Sequence, residues 1–577
     1  FERLYQNIVL EKPKLILSIL IFCILSFGYF SKEFKLDASS DTLLLENDPD
    51  FLYLKEITER YGTNEFLILT YEPEKKITHT ESINELLNIK SDIQKFNWVK
   101  SVITILDIPL LENSDENITE TLKNYKTLKD KDIDKEKGFN EIKKSPVFKD
   151  FIISEDGTVS SIIVNIKNNK NSINLEGLSD KELEKIKENQ KIKNHENILQ
   201  IRNLINQYKN GSNKPNIYLG GVPMIADDMI SFIKKDIVVF GVGVFLFIIL
   251  TLWFVFRSLI WIVIPLLSCF SAVIIMTGLL GIIGWKVTVI SSNFIALMLI
   301  LTMAMNIHMS VRYLNISKEN TNMSNSEKLL LTTKKMFWPI AYTVLTTICA
   351  FLSLIFSGIK PIIDFGWMMT LGLIVSLLVT FLLLPSLLNL FSSNNEVDIK
   401  DTEKSFVTAA LGSFTKNNKI LIFGTTFFVI IFSVVGIFKL EVENSFINYF
   451  DKNTEIYKGM KKIDDELGGT TPLNIILKFP VNKKDNKEEN DEFDEWEEEN
   501  ENEEDKAKYW FTRDKMDKII KVHDYLDSLP EIGKVLSFGS ILRVAEDLNN
   551  KELQSLEIAV LYSKIPKTIK NEIVTPY

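Results

Sequence analysis

KPKLILSILIFCILSFGYFSKEFKLD, residues 12–37, and KNNKILIFGTTFFVIIFSVVGIFKLE, residues 416–441, follow one plan: a cationic flank, an apolar run, then Phe-Lys-Leu and an acid. Lys12, Phe34, Lys35 and Leu36 recur as Lys416, Phe438, Lys439 and Leu440, and Tyr53 recurs as Tyr457, at a constant offset of 404 residues. Past the span the match resumes in a shifted register. Ile83–Val102 resembles Met516–Leu536, each an amphipathic helical pattern followed by a short strand-like segment. A membrane span with an attached water-exposed domain therefore occurs twice, and self-similarity over so long a period is a signature of transporters. The second copy stops at Tyr577 whereas the first continues through five more spans, so a fragment lacking most of the second copy's membrane helices is expected.

Apolar runs of about 20 residues suffice to cross the hydrocarbon core. Seven occur, at 15–30, 236–256, 259–283, 287–309, 337–356, 365–388 and 420–438. FERLYQNIVL, ahead of the first, is amphipathic, and its Leu4, Ile8 and Val9 are expected along the membrane interface. The cations lie in alternate short loops: Arg257 after the second span, Arg312, Lys318, Lys328, Lys334 and Lys335 after the fourth, and Lys400, Lys404, Lys416 and Lys419 after the sixth. The positive-inside rule then places the amino terminus in the cytoplasm and both large domains outside.

The water-exposed segments, 40–230 and 440–577, are rich in Lys, Glu, Asp and Asn, whereas 236–390 is nearly uncharged. A net charge of −10 without a basic stripe excludes a nucleic-acid partner. Cys23, Cys269 and Cys349 all fall in apolar spans, so the outer domains fold without disulfides. The first domain reads as strand 66–71, helix 81–96, strand 98–105, a turn at Glu155-Asp156-Gly157, strand 159–166, helix 178–208 and strand 217–219. The second reads as strand 473–479, helix 507–529 and strand 532–538, with a solvated acidic insertion at 486–505. Alternation of this kind suggests split βαβ, ferredoxin-like modules. The fold class is thus an α+β polytopic membrane protein: a helical transmembrane bundle with two ferredoxin-like domains, related by a parallel internal repeat. Its segments are 1–36 (interfacial helix and first span), 37–235 (first domain), 236–390 (five-span bundle), 391–419 (linker), 420–438 (seventh span) and 439–577 (second domain, incomplete).

No Gly-rich phosphate loop, His-Glu-x-x-His or clustered Cys and His occurs, which argues against ATP hydrolysis and against a resident cofactor or metal. One span, an outer αβ domain and five close-set spans, begun a second time, resembles the resistance-nodulation-division (RND) exporters, in particular their smaller lipid-exporting, MMPL-like members. LWFVFRSLIWIVIPLL (252–267) looks like that group's link between spans two and three, and IALMLILTMAMNIHMSVRYLN (295–315) like its fourth span. The resemblance implies an inner-membrane exporter of hydrophobic or amphiphilic, lipid-like cargo, driven by protons and not an enzyme, with porter-type domains in the periplasm. It admits self-association and a periplasmic accessory protein as partners. It also implies an Asp in the fourth span, yet here the corresponding stretch is Ala304-Met305-Asn306-Ile307-His308. His308, Asn306 and Thr302 are therefore the candidates for proton coupling, with interhelical hydrogen bonding as the plainer role for all three. Two other readings remain open: a lipid-sensing regulator built on 236–390, like the sterol-sensing-domain proteins, and a protein-secretion accessory similar to SecD and SecF.

Overall fold

The computed structural model describes residues 5–37, 48–61, 66–111, 125–167, 180–211, 214–391, 406–441, 446–470, 473–479, 512–549 and 551–564. In chain order the elements are α1 (Pro13–Phe30), β1 (Lys35–Leu36), α2 (Pro49–Tyr61), β2 (Phe66–Glu72), α3 (Thr80–Gln94), β3 (Val99–Thr104), α4 (Lys135–Lys144), β4 (Ser160–Ile166), α5 (Asp180–Lys209), β5 (Asn216–Gly220) and α6 (Val222–Phe256). There follow α7 (Ile260–Ile283), β6 (Lys286–Val287), α8 (Phe294–Glu319), α9 (Asn325–Leu352), α10 (Lys360–Phe391), α11 (Phe406–Asn417), α12 (Lys419–Ile437), α13 (Glu455–Glu466), α14 (Arg513–Asp527), α15 (Phe538–Asn549) and α16 (Ser555–Lys564). Two compact units result, one of residues 1–55 and 228–443, the other of 56–227 and 444–577.

The first unit holds seven helical segments long and apolar enough to span a membrane, one at each position read from the sequence. Lipid gives helices no hydrophobic reason to associate, so close packing and polar contacts must do it. Small residues supply the packing: a Cβ at Gly278 or Gly281 of α7 would overlap the carbonyl oxygens of Phe27 and Phe30, so α1 rests on bare backbone. Lys35 and Leu36 then pair in parallel with Lys286 and Val287, tying the end of α1 to the loop after α7. That loop changes one boundary. The fourth helix starts at Phe294 and not at 287, because 286–287 are committed to this pairing and Ser291–Asn293 form a 3₁₀ turn. Val9 is also not interfacial: Tyr5, Val9 and Leu10 are buried among Trp261, Ile264, Met305 and Leu384, while Ile8 is exposed.

In the second unit the sheet order is β3-β4-β2-β5, every neighbouring pair antiparallel. With α3 between β2 and β3, and α5 between β4 and β5, the connectivity is βαββαβ with α4 inserted in the connection from β3 to β4. Leu86, Ile89 and Ile93 of α3 face the core with Leu67, Leu69, Ile162 and Val164. The turn before β4 forms as read, with Gly157 at φ 81° and the Asp156 carboxylate accepting from Thr158 N. Asp107, after β3, is held by Lys90, Lys129 and the Thr104 amide. Burial alone would raise its pKa, but the hydrogen bonds from Lys129 and Lys90 prevail and hold it below the ordinary carboxylate value.

The expected strands 473–479 and 532–538 do not form, and no strand is assigned within 446–564 among the described residues. Leu473 and Ile475 are exposed, so no layer covers this segment, and the backbone of Gly533 is taken up against Gly468 instead of a strand. Met516 of α14, Leu542 and Ala545 of α15, and Leu553 and Ile558 make a small helical core in their place. Helix α13 packs on β5, with Gly459 against the Leu219 carbonyl and Arg202 Nε 3.2 Å from Glu455. The acidic run 486–505 lies outside the described residues.

Moved by 404 residues, α2 would occupy 453–465, and α13 runs Glu455–Glu466; moved by 433, α3 coincides with α14 from first residue to last.

Replacing Gly278 by Leu is expected to lower stability by about 1–3 kcal/mol or more through overpacking against α1. Gly241→Ala in α6, which meets nothing within 4 Å, is expected to change it by less than about 1 kcal/mol; thermal unfolding in lipid nanodiscs compares the two. Because the folded pKa of Asp107 is depressed, its stabilising contribution is present above the unfolded carboxylate value and is lost as pH falls through the folded one. Asp107→Asn should therefore unfold at lower temperature near neutrality and lose part of the acid dependence below about pH 5.

Candidate functional site

Helix α8 carries three polar residues one turn apart, Thr302, Asn306 and Ser310, and all are fully buried. Spacing of four residues puts them on one face, toward α7 and α10. Asn306 bridges to α7: its Nδ2 donates to the Pro265 carbonyl at 3.3 Å and lies 3.5 Å from Cys269 Sγ, while its Oδ1 accepts from Ser268 Oγ at 3.3 Å. Thr302 bridges to α10. Its Oγ1 lies 2.7 Å from the Met298 carbonyl oxygen and 2.7 Å from Ser376 Oγ. With one proton to give, the threonine satisfies both contacts if it donates to the carbonyl and Ser376 donates to it. Ser310 on α8 and Thr380, one turn beyond Ser376 on α10, have buried hydroxyl oxygens with no hydrogen-bond partner among the described residues.

The result is a buried, neutral polar seam among three helices. No Asp or Glu precedes Glu319 in α8, and among the described residues no group of His, Cys, Asp and Glu is arranged to hold a metal ion. A seam of hydroxyls and one amide can exchange hydrogen-bond partners as helices shift, but its hydroxyls and amide cannot store a charge at neutral pH.

His308 stands apart. Two residues past Asn306, it is turned to the exposed side of α8, so Thr302 and Asn306 are brought together and His308 is not. The threonines of α9 are likewise outside the seam: Thr343 and Thr346 are exposed, Thr347 is half-buried, and all three bond carbonyls of their own helix. Asp364 accepts from Trp285 Nε1 at 3.2 Å. Ser268, Ser310, Ser376 and Thr380 were not singled out in the sequence; their shared burial depends on helix pairing, though the i, i+4 spacings 302/306/310 and 376/380 were a usable signal.

In the second unit, Asp227 is buried. His195 Nδ1 of α5 lies 2.8 Å from its Oδ1, and Asn194 Nδ2 donates to the Pro223 carbonyl at 2.8 Å, so α5 grips the first turns of α6. Lys534 donates to the Pro146 carbonyl at 2.8 Å, and burial pushes its ammonium below the ordinary lysine value.

The MMPL family profile matches residues 78–415, which include most of the first outer domain, α6 to α10 and the seam. The chain belongs to the MMPL family. The MMPL family is part of the RND superfamily. No curated protein matches the sequence. Among solved structures, a crystal structure of SecDF in its super-membrane-facing form is similar at 12% identity with a TM-score of 0.30, over 67% of this chain and 38% of that one. The chain thus spans well under half the length of that relative, and the overlap is too loose to bear on architecture. The seam is joined by neutral hydrogen-bonding side chains, and the stretch Ala304–His308 of α8 holds no carboxylate.

Asn306→Ala should cost about 1–2 kcal/mol, since it removes a buried interhelical bridge and strands the Ser268 hydroxyl. His308→Ala, on the exposed side, should stay within about 0.5 kcal/mol. Thermal unfolding of both variants in nanodiscs checks the difference.

Proposed function

We propose that this MMPL protein is a secondary-active exporter of hydrophobic or amphiphilic, lipid-like molecules in a bacterial inner membrane. The amino terminus is cytoplasmic in this reading, and the outer domains are periplasmic. The observation that carries it is the recurrence of one sequence plan at both the first and the seventh span, with α2 near α13 and α3 on α14 after the shift; a repeat unit of six spans would give both copies the same orientation. Two such arms can open and close a shared path. The βαββαβ sheet of the first domain supports a ferredoxin-like, porter-type module.

Proton coupling is part of the proposal, with Thr302 and Asn306 as the groups through which α7, α8 and α10 change partners. One elementary charge crossing 100 mV releases about 2.3 kcal/mol, enough to shift a two-state ratio by tens-fold. A neutral seam also fits a lipid-sensing bundle that moves nothing, and this is the reading to test against.

Proteoliposomes with an imposed pH gradient and a fluorescent phospholipid discriminate the two. Export predicts gradient-dependent movement of the probe, reduced about tenfold by Asn306→Ala and kept by His308→Ala. Movement insensitive to collapse of the gradient removes proton coupling, and absence of movement with retained lipid binding favours the sensor.

A further inference from the structure

We propose that the segment Tyr5–Leu10 is a clamp on α10 that holds shut the break Pro385 makes in that helix. Proline has no amide hydrogen, so the carbonyl four residues before it, that of Phe381, loses its helical donor. In a membrane such a carbonyl finds no water, and leaving it bare costs several kcal/mol. The donor here comes from the other end of the bundle's chain. Tyr5 Oη donates to the Phe381 carbonyl at 2.6 Å, in a site where Tyr5 is 7% exposed. Thr333 Oγ1 lies 3.4 Å from the same phenol oxygen and can donate to it, leaving the Tyr5 proton for Phe381.

The segment grips α10 on the far side of the proline as well. Asn389 Nδ2, one turn past Pro385, donates to the Leu10 carbonyl at 2.8 Å. Between the two bonds, Val9 and Leu10 are almost fully buried beside Leu384 and Leu388. Two polar bonds and an apolar anchor thus bracket one helix turn. The bracketed turn adjoins the seam, because Thr380 immediately precedes Phe381 and Ser376, the partner of Thr302, lies on the preceding turn. While the segment is seated, the inner end of α10 is fixed relative to the residues that meet α8. When it leaves, an unpaired carbonyl and a proline remain, the makings of a hinge. Tyr5 is a positioning residue in this scheme and touches no cargo.

A double-mutant cycle on the full chain in nanodiscs tests it, read by amide hydrogen exchange across 381–391 and by the unfolding midpoint. Tyr5→Phe keeps the ring and removes the donor; it should speed exchange roughly three- to fivefold, the worth of one buried hydrogen bond. Pro385→Ala restores an N–H to the Phe381 carbonyl, and in that background Tyr5→Phe should change nothing. Pro385→Leu supplies the same N–H with a bulkier side chain and replaces the alanine variant should that one fold poorly. An equal effect of Tyr5→Phe in both backgrounds, or no effect in the native one, overturns the clamp. None of these readouts depends on transport.

Discussion

Phe27 and Phe30 of α1 lay their carbonyls against Gly278 and Gly281 of α7, and that backbone-to-backbone approach orders the rest of the membrane unit. Between two helices in lipid, dispersion falls steeply with separation and nothing hydrophobic compensates for a gap. Glycine at two successive turns lets α1 come close enough for β1 to reach β6. The same contact brings Ile16 and Leu20 of α1 into one cluster with Ala272, Met276, Met298 and Leu383, so α1, α7, α8 and α10 share a core. Helix α12, the counterpart of α1 in the second copy, has no buried residue among those described, and its glycines Gly424 and Gly436 meet nothing within 4 Å.

The spans and the strands of the first domain are legible because each rests on a local period: long apolar runs, and alternation in Phe66–Glu72 and Ser160–Ile166. What the sequence could not show was competition between partners. Residues 287–293 are apolar enough to begin a helix, yet Val287 pairs with Leu36 and Ser291 bonds Thr288, so the helix waits until Phe294. Val9 was assigned to the interface from its amphipathic neighbours, and only the groove beside Trp261 explains its burial. Strands 473–479 and 532–538 have strand-like composition, but a strand exists only where another chain segment takes its hydrogen bonds. The seam was half legible: Thr302 and Asn306 stood out as polar residues in an apolar helix, whereas Ser268, Ser376 and Thr380 acquire meaning only once α7 and α10 are set beside α8.

The seam and the proline break answer the same physical problem, polar backbone and side-chain groups enclosed where water cannot reach. Pro265 and Pro385 lie in the helices flanking α8, and each has a foreign donor on a carbonyl at or near it: Asn306 on that of Pro265, Tyr5 on that of Phe381. These bonds are weaker than they look. Interhelical hydrogen bonds in membranes average about 0.6 kcal/mol, because a separated helix finds other partners. Three such contacts, from Asn306 to Pro265 and Ser268 and from Thr302 to Ser376, sum to roughly 2 kcal/mol, close to the 2.3 kcal/mol that one charge yields on crossing 100 mV. A bundle held by carboxylate pairs would need several times that energy to rearrange. Neutral pivots thus leave α7, α8 and α10 joined by contacts that can exchange at low cost.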